Sequence, residues 1–182
     1  MNVDERISAD AATNPAHSRQ RLQHEYEQLW SEFGASLARL AASYESNPQS
    51  REDLLQEIRL AIWMALPRFR GDASLRTFIF RIAHNRALTH VWRRKRSGMA
   101  EESEEILDPR SSPEASAINR ADQSRLLTAI RLLPIPFRQV LTLALEDLSH
   151  AEISAVLGIS ENNVAVRMNR AKKLIKERLG RR

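Results

Sequence analysis

Residues 149–179 read SHAEISAVLGISENNVAVRMNRAKKLIKERL, and this stretch predicts two helices joined by a tight turn. Ser149, followed three positions later by Glu152, is the signature of a capping box, in which a hydroxyl and a carboxylate each bond a free backbone amide at the helix start. Gly158 permits a sharp turn, and Ser160 can cap the second helix. Because capping, turn and apolar spacing agree, the stretch predicts a helix-turn-helix motif.

The second helix of this motif has one apolar face and one polar face. Steps of about 100° per residue place five apolar side chains together: Val164, Met168, Ala171, Ile175 and Leu179. On the opposite face, amides can bridge an adenine edge, guanidinium groups can fork to guanine, and a small apolar side chain can contact a thymine methyl. We expect this face to read duplex DNA through Ser160, Asn162, Asn163, Val166, Arg167, Asn169, Arg170 and Lys173. The alternative is an ordinary amphipathic surface helix with a solvated basic side.

The motif belongs to a predicted four-helix domain at residues 117–182. Its other two helices are expected at about 118–132 and 136–146, with Pro134 between them. Residues 98–116 precede this domain and are rich in Ser, Glu and Pro, which predicts a flexible linker. An acidic strand that mimics nucleic acid in a basic channel is the alternative for that segment.

A second helical domain is predicted at residues 21–97, with three helices at about 22–44, 51–66 and 75–96. Ser50 is the expected N-cap of the middle helix, which should stop near Pro67. Residues 1–20 are polar without a sustained helical period, so we expect a disordered tail there. The predicted fold class is therefore all-α, with two small helical domains, one of three to four helices and one of four.

Composition excludes several classes of function. The chain has 182 residues, a formal net charge of +5 and no cysteine, so disulfides, thiolate-bound zinc and thiol nucleophiles are absent. The five histidines form no HExxH pair and the five glycines form no phosphate-binding loop, so we expect no enzyme, cofactor or metal site. No apolar run approaches the roughly 18 residues of a membrane span, and the first residues lack a secretion signal. We expect a cytoplasmic protein without membrane insertion.

The middle helix of the first domain has an unusual outer face. Its members are Asp53, Gln56, Glu57, Leu60, Trp63 and Met64. Carboxylates mixed with large apolar side chains suit a protein partner that is both apolar and basic. We therefore expect a protein interface here, although Trp63 and Met64 packing under the 22–44 helix is an equally open alternative.

The 75–96 helix has a face of a third kind, which carries Arg81, Asn85, Leu88 and Trp92. Aromatic and amide groups beside arginines can stack under bases, bond their edges and neutralise phosphates, as a splayed single strand requires. Phe69 and Arg70 extend this surface onto the preceding loop, and the face predicts contact with opened DNA. The alternative is that Trp92 is a core residue.

Over about residues 22–180, the chain resembles the extracytoplasmic-function sigma factors, the smallest bacterial promoter-recognition subunits of RNA polymerase. The resemblance rests on DLLQEIRLAIWMALPRFRGDASLRTFIFRIAHNRALTHVWRRKR (53–96), an acidic linker, and LLPIPFRQVLTLALEDLSHAEISAVLGISENNVAVRMNRAKKLIKERL (132–179). It implies that the two domains are sigma domains 2 and 4. It also implies a sigma factor that directs core RNA polymerase to specific promoters, in a stress or envelope response under the control of an anti-sigma factor.

The resemblance implies roles for particular residues. Docking on the clamp helices of the largest polymerase subunit falls to Asp53, Leu54, Gln56, Glu57 and Leu60. Melting and capture of the minus-ten element fall to Phe69, Arg70, Arg76, Phe80, Arg81, Asn85, Trp92 and Arg93. The helix-turn-helix reads the minus-thirty-five element, the flap of the second-largest subunit is a further contact, and the free protein is expected to be a monomer.

Departures from the family pattern leave other classes of function open. Ala165, Val166 and Asn169 replace commoner family residues on the recognition helix, and His84 and Thr89 do so near the minus-ten residues. A stand-alone helix-turn-helix regulator would need a dimer interface to read paired half-sites. A sigma mimic that only sequesters anti-sigma proteins would not need the basic recognition face.

Overall fold

The computed structural model describes residues 15–98 and 115–180, and in these ranges all regular structure is helical. The first range holds α1, α2 and α3, and the second holds α4 to α7. Their bounds are α1 Pro15–Tyr44, α2 Pro48–Ala65, α3 Leu75–Arg96, α4 Ala115–Arg131, α5 Ile135–Leu145, α6 His150–Leu157 and α7 Glu161–Leu179, with one 3-10 turn at Leu66–Arg68 after α2. The all-α prediction is confirmed, as are three helices before the acidic segment and four after it. Most of the predicted linker, residues 99–114, lies outside the described residues.

Two helix starts differ from the sequence prediction. Helix α1 begins at Pro15 instead of about Leu22, so the predicted tail is too long, and only residues 1–14 of it lie outside the described ranges. The extra turns of α1 are polar, and polar pairs one turn apart support them, such as Arg21 with Glu25 at 3.3 Å. A search for an apolar period misses a helix of this kind.

The N-cap of α2 is Asn47, not Ser50. The Asn47 side chain accepts a hydrogen bond from the Ser50 amide at 2.9 Å. Pro48 occupies the first helical position, where its fixed φ suits a helix and its missing amide proton costs nothing. The connection between α1 and α2 is therefore only three residues long, shorter than the break between residues 44 and 51 that the sequence predicts.

Helices α1, α2 and α3 form the N-terminal bundle. Each helix buries an apolar stripe against the other two: Leu29, Leu37 and Leu40 from α1, Leu54, Ile58 and Ile62 from α2, and Ile79, Phe80 and Ala83 from α3. Ser74 caps α3 by accepting from the Thr77 amide at 3.1 Å. This packing fixes which faces of α2 and α3 remain in solvent.

Helices α4 to α7 form the C-terminal bundle, in which α5 and α6 pack against α7. The buried side chains include Val140 and Leu143 from α5, Ile153 and Val156 from α6, and Val164, Met168 and Ala171 from α7. Gly158 has φ +66° and ends α6, as the turn prediction requires. The predicted apolar face of α7 is confirmed for Val164, Met168 and Ala171; Ile175 is half-buried, and Leu179 is exposed because the last turn of α7 extends beyond the bundle.

The two bundles pack against each other, and their buried side chains form one continuous core. Helix α1 contacts α4 and α5, and α3 contacts α6. Across this boundary the Thr142 hydroxyl donates to the Ser43 hydroxyl at 3.1 Å, and Arg131 Nε donates to the Ala42 carbonyl at 2.9 Å. Within the part of the chain that the structure describes, no helix is long and apolar enough to cross a membrane.

Candidate functional site

The exposed face of α7 is the first candidate site. All of the residues predicted to read duplex DNA lie in solvent except Arg167, which is half-buried: Ser160, Asn162, Asn163, Val166, Asn169, Arg170 and Lys173. Ser160 caps the helix by accepting from the Asn163 amide at 3.3 Å. The structure thus brings amides, cations and one small apolar side chain together on a single helix face, opposite the core.

Local hydrogen bonds hold both the start of α6 and the turn between α6 and α7. The Ser149 amide donates to Glu152 Oε2 at 2.8 Å, and the Glu152 amide donates to Ser149 Oγ at 3.2 Å, which confirms the capping box. Partial burial tends to raise the pKa of Glu152, but the hydrogen bonds from Ser149 outweigh it and lower that pKa. Ser154 also ties α6 to the turn, since its hydroxyl donates to the Ile159 carbonyl at 2.5 Å. The capping box therefore fixes the start of α6, and the bond from Ser154 ties the end of α6 to the turn before α7.

The outer face of α2 is the second candidate site. Asp53 and Gln56 are exposed, Leu60 is 60% exposed and Met64 is 66% exposed. Leu54, which the family resemblance assigned to polymerase binding, lies instead in the core. The face therefore combines polar groups with two large apolar side chains in water, as the sequence predicted.

Trp63 and Met64 are predicted either to form part of a protein interface or to pack under α1, and the structure gives a different answer for each. Its ring packs edge-on against Tyr26 of α1, with centroids 5.0 Å apart, and it is half-buried. Met64 stays exposed. Packing under the first helix thus accounts for Trp63 but not for Met64.

The outer face of α3 is the third candidate site. Asn85 is exposed and Trp92 is 51% exposed, with the Lys95 ammonium 5.9 Å from the centre of its ring. The alternative that Trp92 is a core residue is therefore wrong. Arg93 Nη2 donates to Glu57 Oε1 of α2 at 2.6 Å, so a residue of the second candidate site touches one of the third.

The loop before α3 and the buried side of α3 hold three more of the predicted minus-ten residues. Arg70 is exposed, whereas Phe69 is half-buried against Phe78, with ring centroids 4.9 Å apart. Phe80 is fully buried and meets Phe33 edge-on at 6.5 Å. Phe80 is therefore a packing residue in this conformation, where it supports α3 without reaching its surface.

Comparison with known proteins assigns the chain to a family. The model of Sigma-70 region 2 matches residues 29–97, and that of Sigma-70 region 4 matches residues 123–175. The RNA polymerase sigma-H factor of Pseudomonas aeruginosa is 30% identical over 77% of this chain and 78% of its own length. The ECF RNA polymerase sigma-E factor of Escherichia coli K12 is 28% identical over 68% of this chain and 70% of its own.

The chain belongs to the extracytoplasmic-function sigma factors. A solved structure of CnrH in complex with the cytosolic domain of CnrY matches with a TM-score of 0.68 at 24% identity, over 98% of each chain, and agrees in fold. The family consists of transcription regulators that direct RNA polymerase core to promoters for initiation, and this is the function of the chain. Region 2 coincides with most of the N-terminal bundle and region 4 with most of the C-terminal bundle.

Two arginines of region 2 in this sigma factor contact region 4. The Arg76 guanidinium donates to the backbone carbonyl of Glu146, at the end of α5. Arg81 Nη2 donates to the carbonyl of Ala155, in α6, at 2.6 Å. Both arginines belong to the predicted minus-ten set; Arg76 is half-buried by this contact, whereas Arg81 is exposed, as Asn85 and Trp92 are.

Sequence reasoning missed a buried polar cluster beneath the surface of region 2. Glu45 is 1% exposed; its Oε2 lies 2.8 Å from His90 Nε2 and also accepts from Arg94. Its other oxygen accepts from the Asn47 amide at 2.8 Å. The sequence signal was weak because Glu45 stands in ESNPQS, which reads as a polar break between helices.

His84 joins region 2 to region 4 from a buried position. Its Nδ1 lies 3.3 Å from the Tyr44 hydroxyl, and its Nε2 lies 2.9 Å from Gln139 Nε2 of α5. Burial lowers the pKa of His84 to about 4, and burial likewise raises that of Tyr44. A neutral imidazole is therefore part of the contact between the bundles. Sequence reasoning had considered His84 only as a departure from the family pattern near the minus-ten residues.

Proposed function

We propose that the exposed face of α7 reads the minus-thirty-five element of the promoters of this sigma factor in duplex form. The observation that carries the proposal is the division of α7: its apolar side is buried, while Asn162, Asn169 and Arg170 face solvent together. Amides and guanidinium groups are suited to bidentate bonds with adenine and guanine in the major groove. The αL turn at Gly158 and the buried side chains Val164, Met168 and Ala171 hold α7 against the rest of the bundle, with its polar face outward for insertion.

The outer face of α2 is the proposed docking surface for polymerase core. Leu60 and Met64 lie one turn apart in water, with Asp53 and Gln56 beside them. A large apolar pair ringed by polar groups has the composition of a binding surface, with an apolar centre that can be desolvated and a polar rim. The clamp helices of the largest subunit are the partner proposed from the family resemblance. Leu54 is buried and supports this face from the core, whereas Glu57 is half-buried and lies at its edge.

The outer face of α3 is the proposed site for the opened minus-ten element. Trp92 offers an exposed ring on which a base can stack, and Asn85 offers an amide for a base edge. Arg70, Arg76, Arg81 and Arg93 are the proposed cations for the backbone, and Phe69 lines the loop end of the surface. This assignment requires that Arg76, Arg81 and Arg93 exchange their present partners for phosphate.

We also propose where the protein acts and which partners regulate or contact it. The protein acts in the cytoplasm without catalytic activity of its own, and core polymerase performs the chemistry. The matched structure of CnrH holds the cytosolic domain of a second protein, CnrY, which supports an anti-sigma partner for this chain as well. The flap of the second-largest polymerase subunit is the proposed contact of region 4, and the free protein is proposed to be a monomer.

Reconstituted transcription tests the proposal. Core polymerase is mixed with the full chain and a library of genomic fragments, and transcript starts are mapped by sequencing. We expect starts at a shared pair of promoter elements that core alone does not use. Leu60→Asp with Met64→Asp should abolish comigration with core on size exclusion, whereas Arg125→Ala on α4 should not. A double variant that binds core as tightly as the parent contradicts the α2 assignment.

A further inference from the structure

Three uncharged side chains follow one another along the reading face of α7, which is the exposed face proposed to contact the minus-thirty-five element. Asn162, Val166 and Asn169 stand at intervals of four and three residues, so they lie along one line of the helix surface. We infer that this line recognises A·T base pairs, and that Val166 selects thymine by contact with its methyl group. The inference rests on the proposed role of the reading face and deepens it, because it names the bases that the face selects.

The line stands on the side of α7 that faces away from the core. The core side is defined by three buried side chains, Val164, Met168 and Ala171. At about 100° per residue, Asn162 and Val166 point within about 30° of the opposite direction, and Asn169 within about 50° of it. In a helix-turn-helix, the N-terminal part of the second helix contacts base edges in the major groove. These three side chains therefore occupy positions that meet bases.

The charges of α7 separate its start from its later turns. Residues 161–166 read ENNVAV and contain one acid, Glu161, and no cation. The first cation is Arg167, which is half-buried on the flank, and the exposed Arg170 and Lys173 come after it. Attraction for the phosphate backbone comes chiefly from lysine and arginine. The start of the reading face is therefore suited to base edges, and the later turns to phosphate and guanine.

Asn162 and Asn169 carry the donor and acceptor that an adenine edge requires. Adenine presents N7 as an acceptor and its N6 amino group as a donor in the major groove, and one asparagine amide can bond both. Both side chains are exposed, and among the residues that the structure describes neither amide has a hydrogen-bond partner. Seven residues of helix span about 10 Å, close to three base-pair steps. The two amides thus match adenines about three base pairs apart.

Val166 is the apolar member of the line and is 41% exposed between the two asparagines. A single exposed valine is common on protein surfaces. Valine and asparagine, however, both favour a helix less than alanine or lysine, so helix stability does not account for three such residues on one solvent face. Thymine is the base that presents a methyl group in the major groove, where a small apolar side chain can contact it. A valine between two asparagines therefore matches a run of A·T pairs.

Base analogues in the promoter test each contact. Holoenzyme is reconstituted from core polymerase and the full chain, and its affinity for synthetic promoters with a mapped minus-thirty-five element is measured by competition. Deoxyuridine in place of one thymidine at a time removes only the methyl group, and 7-deazaadenine in place of one adenine removes only N7. We expect one thymine at which deoxyuridine weakens binding about four-fold, and two adenines at which 7-deazaadenine weakens it about five-fold.

Protein variants assign each sensitivity to its residue. In Val166→Ala, the loss at that thymine should shrink to less than about two-fold, because the methyl group no longer has its partner. Asn162→Ala and Asn169→Ala should each remove the sensitivity at one adenine and leave the other. Alanine favours a helix more than either replaced residue, so these variants keep α7. Lys172→Ala, exposed on the flank of α7, is the matched control and should keep all three sensitivities.

The outcomes separate the inference from the proposed function. A scrambled minus-thirty-five element that holoenzyme binds as tightly as the mapped one shows that α7 does not read this element, and the inference falls with the proposed function. If scrambling weakens binding, a mapped element without A·T pairs at the expected spacing, or a parent protein indifferent to both analogues, overturns the inference alone. An equal loss with deoxyuridine in Val166→Ala and the parent also overturns it, because such a loss comes from DNA shape and not from contact.

Discussion

The Glu45 carboxylate and the His90 imidazole meet at 2.8 Å in the interior of the N-terminal bundle, where α1 ends and α3 passes beneath it. Glu45 also binds Arg94 of α3 and the Asn47 amide, and Asn47 in turn caps α2. One buried side chain thus joins the ends of three helices. Burial tends to raise the pKa of Glu45, but the bonds from His90, Arg94 and Asn47 outweigh it and lower the pKa to about 2.

Replacing Glu45 should destabilise the N-terminal bundle. Glu45→Gln leaves Arg94 and His90 without their shared anion in a dry site, and removal of one partner of a buried ion pair costs about 3 kcal/mol. The free energy of unfolding, measured by urea denaturation at pH 7, should fall by that amount. Glu52→Gln, an exposed acid on α2, is the control and should change stability by less than about 0.5 kcal/mol. A Glu45→Gln protein as stable as the parent contradicts this role.

We expect His84 and Glu45 to cause two separate losses in the free energy of unfolding as the pH falls. The folded pKa of His84 is about 4, below its ordinary 6.5, so the folded state resists protonation that the unfolded chain accepts. Its contribution is full above pH 6.5 and is lost as pH falls toward 4, whereas that of Glu45 is full above 4.5 and is lost toward pH 2. The free energy of unfolding, measured by urea denaturation at a series of pH values across this range, should decline in both intervals.

Replacement of His84 should reduce only the loss of stability between pH 6.5 and 4. In His84→Gln, the decline between pH 6.5 and 4 should shrink by up to about 3 kcal/mol, while the decline below pH 4 should persist. Persistence of the decline between pH 6.5 and 4 in this variant means that another group titrates there.

Gly158 should tolerate asparagine better than alanine. Its φ of +66° is costly for any residue with a Cβ, although a Cβ there would meet no atom within 4 Å. We expect Gly158→Ala to lower the free energy of unfolding by about 1 kcal/mol and Gly158→Asn by less, since asparagine adopts this conformation more readily. Thermal denaturation followed by circular dichroism compares the two. Equal losses from the two variants would indicate that packing, and not backbone conformation, sets the requirement.

Local sequence rules predicted the parts of the structure that depend on neighbours along the chain. Ser149 and Glu152 fix the start of α6 and Gly158 ends it, all within one segment, and the exposed face of α7 follows from the spacing of its buried residues. The same rules placed Leu60 and Met64 correctly on an outer face. They failed at Asn47, where a proline at the first helical position moved the cap.

Contacts between distant segments could not be read from the sequence. Glu45 is buried because α1, α2 and α3 converge on it, and an acid in a polar turn is otherwise a solvated residue. Arg76 and Arg81 have the residue type that binds phosphate, but their partners are carbonyls of a bundle about 70 residues away along the chain. Residue type predicts what an arginine can bind, and only the fold decides what lies within its reach.

Asn85 should matter for promoter opening but not for polymerase binding. It is exposed on α3, where its side-chain amide can reach a DNA strand. We expect Asn85→Ala to lower open-complex formation, measured by permanganate footprinting, by about ten-fold, the loss of one or two good hydrogen bonds. Affinity for core should stay unchanged on size exclusion. Lost core affinity would instead show that Asn85 has a structural role in α3.

Arg170 should contribute to promoter choice, and Lys173 to affinity without choice. Both are exposed on the reading face of α7, but a guanidinium can fork to guanine, whereas an ammonium acts on phosphate as a point charge. Arg170→Ala should cost about 1 to 3 kcal/mol at promoters that present the matching base and little at the others. Lys173→Ala should weaken all promoters alike and reduce the salt dependence of binding by about one counterion. Transcription from a mapped promoter set compares the two, and a uniform response to Arg170→Ala would assign that residue to the backbone as well.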